Sequence, residues 1–142
     1  MRVDDRVLLV IASALGSLGV AFGAFGGHAL RARLSPDRLS QFETGVRYQL
    51  WHALALFAVV LVRSLHFPPP GGWFGYAPLL PKPFQLWPWL AGWLFVAGVV
   101  LFSGSLYALA LTGNRRWGVL TPLGGLAFLL GWLALLIAIV TI

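Results

Sequence analysis

Four long apolar stretches divide the chain, and most polar residues lie between them. The stretches cover residues 7–27, 48–65, 89–111 and 119–142, and Leu, Val, Ala, Phe and Gly dominate each of them. As a helix that rises about 1.5 Å per residue, the first stretch would be about 30 Å long, which matches the hydrocarbon core of a bilayer. Strands of a membrane barrel would alternate apolar with polar residues, and these stretches do not. The pattern predicts an all-α integral membrane bundle of four transmembrane helices, forming one domain over residues 1–142.

The polar segment after the first span contains the start of a helix. Residues 35–37 (SPD) offer a serine for the N-cap, a proline suited to the first helical position and an acid near the positive end of the helix dipole. A helix from Pro36 would bring Leu39, Phe42 and Val46 to one face. We therefore expect an amphipathic elbow helix that rests at the membrane interface or runs into the second span, with Gly45 allowing a bend.

Prolines prevent the apolar connection of residues 66–88 from forming a spanning helix, because each proline removes a backbone donor and disturbs helical geometry. Its Trp73, Phe74, Tyr76 and Trp87 are residue types that favour the headgroup region. We expect a proline-rich interfacial loop there. The last connection, residues 112–118, contains Gly113 and Asn114 and is predicted to be a tight turn.

Composition and charge support a membrane location. Hydrophobic residues make up 59% of the chain and charged residues 10%, which is outside the usual range for a soluble domain. The formal net charge of +6 comes from basic residues beside apolar stretches, so the bilayer is the expected partner and nucleic acid is not. The chain has no cysteine, which excludes disulfides and thiolate metal sites.

The distribution of basic residues favours one orientation. With four spans, the first and third loops share one side of the membrane, and both termini share the other side with the second loop. Cytoplasmic loops carry an excess of Lys and Arg. We therefore expect the first and third loops in the cytoplasm and both termini outside. The first side carries Arg31, Arg33, Arg38, Arg47, Arg115 and Arg116, and the other side carries Arg2, Arg6, Arg63 and Lys82.

Small residues recur at intervals of four in two of the spans. Such stripes allow close approach between helices in lipid, where hydrophobic burial gives no driving force for association. They would hold the bundle together, or one of them would form the interface of a homo-oligomer. The stripes are Gly19, Gly23 and Gly27, with Ser13, Ser17 and Ala21 beside them, and Gly104, Ala108 and Thr112 in the third span.

Polar residues gather around the predicted elbow. Glu43 precedes Arg47 by four residues, the favourable order for a helical ion pair. We expect a polar cluster at one membrane face, which would fasten the first loop to the bundle. A metal or haem held by His28 and His52, or a quinone site, is a further alternative, although no local motif supports it and we expect no cofactor. The cluster comprises His28, Glu43, Arg47, Tyr48, Gln49 and His52.

Four stretches together resemble a known family. They are residues 23–28 (GAFGGH), 42–49 (FETGVRYQ) with His52, 101–107 (LFSGSLY) and 121–125 (TPLGG). In order and spacing they are similar to the domain of unknown function 423 family, which is related to transmembrane protein 256 of animals. The resemblance implies a four-helix membrane protein without an agreed biochemical activity. Gly27 replaces the usual alanine before the histidine, and the proline-rich segment is an insertion.

No reaction centre is visible in the sequence. The Ser103-Gly104-Ser105 segment lies within an apolar span and lacks the strand-to-helix context of a nucleophile elbow. We therefore expect a non-enzymatic component that acts by helix packing, as a homo-oligomer or as an accessory subunit of a membrane assembly. The alternative is a small transporter or channel whose polar entrance is formed by residues 43–52. The predicted packing positions are Gly19, Gly23, Gly27, Ser103, Gly104, Ser105, Gly124 and Gly125.

Overall fold

A computed structural model describes residues 3–66 and 86–141, and the long elements in these ranges are helices. Four of them are long and apolar enough to cross a membrane, the last together with the turn before it. The predicted all-α fold with four membrane-spanning helices is confirmed. The helices are α1 (Val3–Leu30), α2 (Pro36–His66), α3 (Leu86–Thr112) and α4 (Thr121–Val140).

The second helix begins earlier than predicted. The elbow runs into the second span, which was one of the two predicted alternatives, and together they form one helix of 31 residues, Pro36–His66. Pro36 is its first residue, and Leu39 N donates to Ser35 O at 2.9 Å. The expected face of this segment is buried, with Phe42 2% and Val46 6% exposed. The ring of Tyr107 packs against Gly45 and fills the space that a Cβ would occupy.

Two helices contain a π turn. In α1 it covers Gly26–Leu30, and in α3 it covers Val99–Ser103. The other helices also differ from the predicted spans by several residues at their ends. Of the predicted interfacial loop 66–88, residues 67–85 lie outside the described residues, while His66 ends α2 and Trp87 and Pro88 belong to α3.

The turn between α3 and α4 is tied to the start of α2. Gly113 ends α3 in the left-handed conformation with φ 71°, which a glycine adopts without strain. Arg38 donates to Ala110 O at 2.6 Å and to Leu111 O at 2.7 Å, so its guanidinium binds carbonyls that have no partner within the helix. A short 3-10 turn, Arg115–Val119, then leads into α4.

The packing order follows the chain. Helix α2 packs against α1 on one side and α3 on the other, and α4 packs mainly against α3. Leu8 of α1, Leu56 and Val59 of α2 and Phe95 of α3 are fully buried where these helices meet. A second, smaller apolar cluster around Phe42 joins α1, α2 and α3 near the first loop. This arrangement places the polar residues of α2 between the other helices.

Candidate functional site: polar residues within the bundle

Gln49 connects three helices. Its side chain is 3% exposed, its Nε2 donates to Leu15 O of α1 at 2.7 Å, and its Oε1 accepts from the Tyr107 hydroxyl of α3 at 2.9 Å. Both ends of the amide are therefore satisfied within the protein. A buried amide would be costly in hydrocarbon without such partners. These hydrogen bonds fix how far α1, α2 and α3 are shifted along the bundle axis relative to one another.

We expect Tyr107→Phe to lower the free energy of unfolding in detergent by about 0.6–1.7 kcal/mol, the size of interhelical hydrogen bonds measured in membranes. The variant removes the hydroxyl that Gln49 Oε1 accepts and keeps the ring that packs against Gly45. Tyr48→Phe is the matched control, since the Tyr48 hydroxyl has no hydrogen-bond partner among the residues that the structure describes. Equal losses in both variants would contradict a specific role for the Gln49–Tyr107 bond.

His52 connects α2 with α4 inside an aromatic cluster. Its Nδ1 bonds Tyr48 O at 2.8 Å, and its Nε2 accepts from Trp132 Nε1 at 3.2 Å. The imidazole stacks on Phe128 with 3.5 Å between ring centroids and an angle of 9° between the planes. Both ring nitrogens are engaged, so ligation of a haem or metal would first require the Trp132 bond to break. Within residues 3–66 and 86–141, no group of three His, Cys, Asp or Glu residues could hold a metal ion.

An aromatic groove lies beside His52, between α2, α3 and α4. Its volume is about 660 Å³. Trp51 and Leu129 on its rim are largely exposed, so the groove opens toward the surface that would face lipid. Its polar lining is limited to a few side-chain atoms, and it is not a polar entrance. The lining residues are Tyr48, Trp51, His52, Phe102, Pro122, Gly125, Leu126, Phe128, Leu129 and Trp132.

The two serines beside Gly104 differ in their bonding. Ser105 donates to Phe102 O at 2.9 Å and shares a hydrogen bond of 2.8 Å with the Thr121 hydroxyl, which joins α3 to the start of α4. Ser103 is fully buried, and its Oγ has no hydrogen-bond partner among the residues that the structure describes. Both serines therefore lie at helix contacts, whereas Gly104 between them is exposed and would have nothing within 4 Å of a Cβ. Gly104 therefore packs against no other helix among the described residues, because neighbouring residues of a helix are rotated by about 100° from one another.

The predicted polar cluster is divided by the structure. Gln49 and His52 are buried, and Tyr48 is partly buried beside them, whereas His28, Glu43 and Arg47 are exposed. Among the described residues, the ion pairs involve Arg63 rather than Glu43 and Arg47. Arg47 instead donates to Thr44 Oγ1 at 3.1 Å. Residues 43–52 therefore do not form a single entrance, because successive turns of α2 present some of them to the interior and others to the surface.

The glycine stripe of α1 continues through Gly26 instead of Gly27. A Cβ on Gly19 would lie 2.7 Å from Leu50 Cδ2, one on Gly23 would lie 3.5 Å from Val46 Cγ1, and one on Gly26 would lie 3.1 Å from the Phe42 ring. Gly27 is exposed, with nothing within 4 Å. At about 100° per residue, Gly27 is rotated about 80° from Gly19, whereas Gly26 is rotated by only about 20°. Gly27 therefore packs against no other helix among the described residues of this chain.

Gly124 makes the closest approach between α3 and α4. A Cβ there would lie 2.3 Å from Phe102 N and 2.7 Å from its Cα, so the two backbones are in contact. The neighbouring Gly125 is looser, at 3.9 Å from the Phe102 ring. The recurrence of small residues at intervals of four did not identify several other glycines, against which a side chain of a neighbouring helix packs. These are Gly45, Gly92, Gly98 and Gly131.

A buried ion pair at the opposite end of the bundle was not predicted. Arg63 of α2 is 3% exposed; its Nε donates to Asp5 Oδ1 at 2.5 Å, and its Nη2 lies 3.8 Å from Asp4 Oδ2. Asp5 lies near the start of α1 and Arg63 near the end of α2. Since consecutive spans run antiparallel, the sequence already placed both charges at the same membrane face. Their pairing depends on the side on which α1 packs, which the sequence does not specify.

Family membership follows from a comparison with known proteins. Residues 22–125 match the family model described as protein of unknown function DUF423. The chain belongs to the DUF423 family. Curated relatives carry the family name UPF0382 and are called membrane proteins. The membrane protein YwdK of Bacillus subtilis is 36% identical over 135 residues, which cover 95% of this chain and 97% of the relative.

Two further relatives agree with this assignment. The inner membrane protein YgdD of Escherichia coli K12 is 33% identical, with 95% of this chain and 90% of the relative covered. A membrane protein of Staphylococcus epidermidis is 37% identical, with 94% of each chain covered. No solved structure matches this DUF423 chain. It is thus a membrane protein of unknown function, and the family region includes Gln49, His52 and Tyr107 but neither Asp5 nor Trp132.

Proposed function

We propose that this DUF423 protein is a non-enzymatic, multi-pass component of a bacterial plasma or inner membrane. It acts by packing against further transmembrane helices, as a homo-oligomer or as an accessory subunit of a larger assembly. The observation that carries the proposal is an exposed small-residue face on α1. Ser13, Ser17 and Ala21 are all exposed, and Gly16 and Gly27 would have nothing within 4 Å of a Cβ.

The position of α1 in the bundle supports this proposal. In the apolar window of α1, 17% of residues are buried, compared with 50% for α2. Helix α1 therefore contacts the bundle with one narrow face and leaves the small residues uncovered. A small-residue surface allows two backbones to approach closely, and this is the main source of helix association in lipid. Gly104 and Thr112 give α3 a similar exposed surface.

The bonding of the internal polar groups also supports a packing role. Gln49, His52 and Ser105 are each hydrogen-bonded to another helix or to their own backbone. Polar groups engaged in this way stabilise one arrangement of the bundle and leave little capacity for a reacting molecule. The names of the relatives, which mention a membrane and no activity, are compatible with this proposal.

We expect Ser17→Leu to weaken self-association or partner binding by about tenfold, which corresponds to about 1.4 kcal/mol. The added side chain would separate backbones that meet on this face, while it contacts nothing inside the protomer. Native mass spectrometry in mild detergent and crosslinking in native membranes measure the complexes. Ala58→Leu is the matched control, because Ala58 is exposed on α2 outside the small-residue faces. A parent protein that is monomeric and uncrosslinked in both settings would overturn the proposal.

A further inference from the structure

Two unpaired opposite charges lie at the edge of an apolar groove between α1 and α2. Glu43 has no hydrogen-bond or ion-pair partner among the described residues, and the guanidinium of Arg47 contacts only the Thr44 hydroxyl there. Their spacing of four residues would favour a mutual ion pair on a helix. The structure keeps both charges available instead, and both line the same groove.

The groove has an apolar part and a polar part. The groove has a volume of about 280 Å³, and Glu43 and Arg47 line it beside its apolar part. Glu43 also lines an adjoining cavity of about 360 Å³, together with Arg31 and Ser40. The apolar part is lined by Phe22, Gly23, Gly26, Phe42 and Val46. Gly23 and Gly26 lack side chains, which leaves room in this part of the groove.

Distances along α2 place these charges at one membrane surface. Arg63 follows Glu43 by 20 residues, which corresponds to about 30 Å, the thickness of the hydrocarbon core. Arg47 lies one turn, about 6 Å, closer to the membrane centre than Glu43. Arg31 follows the end of α1 and lies on the water side. From the interior outward, the groove therefore presents the cation of Arg47 and then the anion of Glu43, with its apolar lining at the same depths.

We propose that this groove binds one phosphatidylethanolamine molecule. An acyl chain occupies the apolar part, Arg47 binds the phosphate and Glu43 accepts hydrogen bonds from the primary ammonium. The lipid carries its phosphate and its amine in the same order along the membrane normal as Arg47 and Glu43, and its chain can pack against the apolar lining beside them. Charge-assisted hydrogen bonds of this kind are among the stronger ones. Arg31 and Ser40 line the outer cavity around the headgroup.

The headgroup chemistry distinguishes this lipid from others in the bilayer. Phosphatidylglycerol has no cation for Glu43, and phosphatidylcholine has a methylated ammonium that cannot donate a hydrogen bond to it. A site made only of arginines would favour the anionic lipid. Here the groove and the adjoining cavity also contain the negative charge of Glu43, which disfavours an anionic lipid. Selectivity for the primary amine is therefore the property that tests the assignment.

The test is lipid retention by the full-length protein in native mass spectrometry, with phosphatidylethanolamine, phosphatidylglycerol or phosphatidylcholine added at equal concentration. We expect the parent to retain phosphatidylethanolamine about two- to fivefold better than either other lipid, the size expected for one partly exposed ion pair. Glu43→Gln should remove this preference, and Arg47→Gln should weaken binding of all three lipids. Arg115→Gln is the control, because Arg115 is exposed near the same surface but does not line the groove.

Three results would overturn the proposal. They are equal retention of the three lipids by the parent, preferential retention of phosphatidylglycerol, and an unchanged preference in Glu43→Gln. Phe42→Ala offers a second check on the apolar part, although Phe42 is also a core residue. Gly23→Ala is therefore preferable: Gly23 is exposed, and a Cβ there would lie 3.5 Å from Val46 Cγ1, an ordinary contact, so the variant narrows the groove and should reduce retention of all three lipids while the thermal stability stays near that of the parent.

Discussion

Replacement of Gly124 by alanine is expected to lower the free energy of unfolding by about 1–3 kcal/mol, the usual cost of overpacking. The new Cβ would lie 2.3 Å from Phe102 N, and a backbone atom cannot move aside as the end of a side chain can. Helices α3 and α4 would have to separate, which would also lengthen the 2.8 Å bond between Ser105 and Thr121. Thermal or denaturant unfolding in a fixed detergent measures the effect.

Gly125→Ala is the matched control for this variant. Its Cβ would be 3.9 Å from the Phe102 ring, an ordinary contact, so the substitution is accommodated. Alanine is also the better helix former by about 1 kcal/mol, so Gly125→Ala should be neutral or stabilising. If both substitutions had the same effect, the contact of α4 with the Phe102 backbone would not be the feature that determines stability there.

Asp5→Ala should have the largest effect of any single charge removal in α1. It would leave Arg63, which is 3% exposed, buried without its closest partner. Loss of one member of a buried ion pair costs about 3–5 kcal/mol, because the remaining charge stays desolvated. Asp5 is itself only 13% exposed, so water would screen the pair little. The free energy of unfolding in detergent is the measurement.

Two variants show whether the buried charge is the cause. Asp4→Ala removes the adjacent carboxylate, which is 60% exposed and 3.8 Å from Arg63, and should change stability by no more than about 0.5 kcal/mol. The double variant Asp5→Leu with Arg63→Leu should recover most of the stability, because it leaves no unpaired charge. A double variant as unstable as Asp5→Ala alone would contradict this explanation.

The sequence predicted the elements of the fold well because hydropathy alone determines which segments can cross a bilayer. It also predicted which face of the first turns of α2 is buried, because Phe42 and Val46 are four residues apart and therefore lie on one face of a helix. It offered an elbow that runs into the second span as one of two alternatives, and Pro36–His66 is indeed one helix. It did not predict that the ring of Tyr107 packs against Gly45, because this contact is made with another helix.

Contacts between helices were harder to predict than the helices themselves. A repeat of four residues rotates by about 40° at each step, so the stripe from Gly19 leaves the interface before Gly27. The partners of Gln49, His52 and Arg63 lie on other helices. No local sequence pattern specifies how those helices are rotated about their axes or shifted along them. The Glu43–Arg47 prediction concerned a single helix and was still wrong, because long exposed side chains have several alternatives.

Two of the arginines of α2, Arg47 and Arg63, have a consequence for the fit between protein and bilayer. They are 16 residues apart, about 24 Å along the helix, which is about 6 Å less than a typical hydrocarbon thickness. Arg63 is held by Asp5 and cannot extend toward water, whereas Arg47 is exposed and can. The mismatch is therefore accommodated at one leaflet only, by an extended Arg47 or by local thinning of the lipid there.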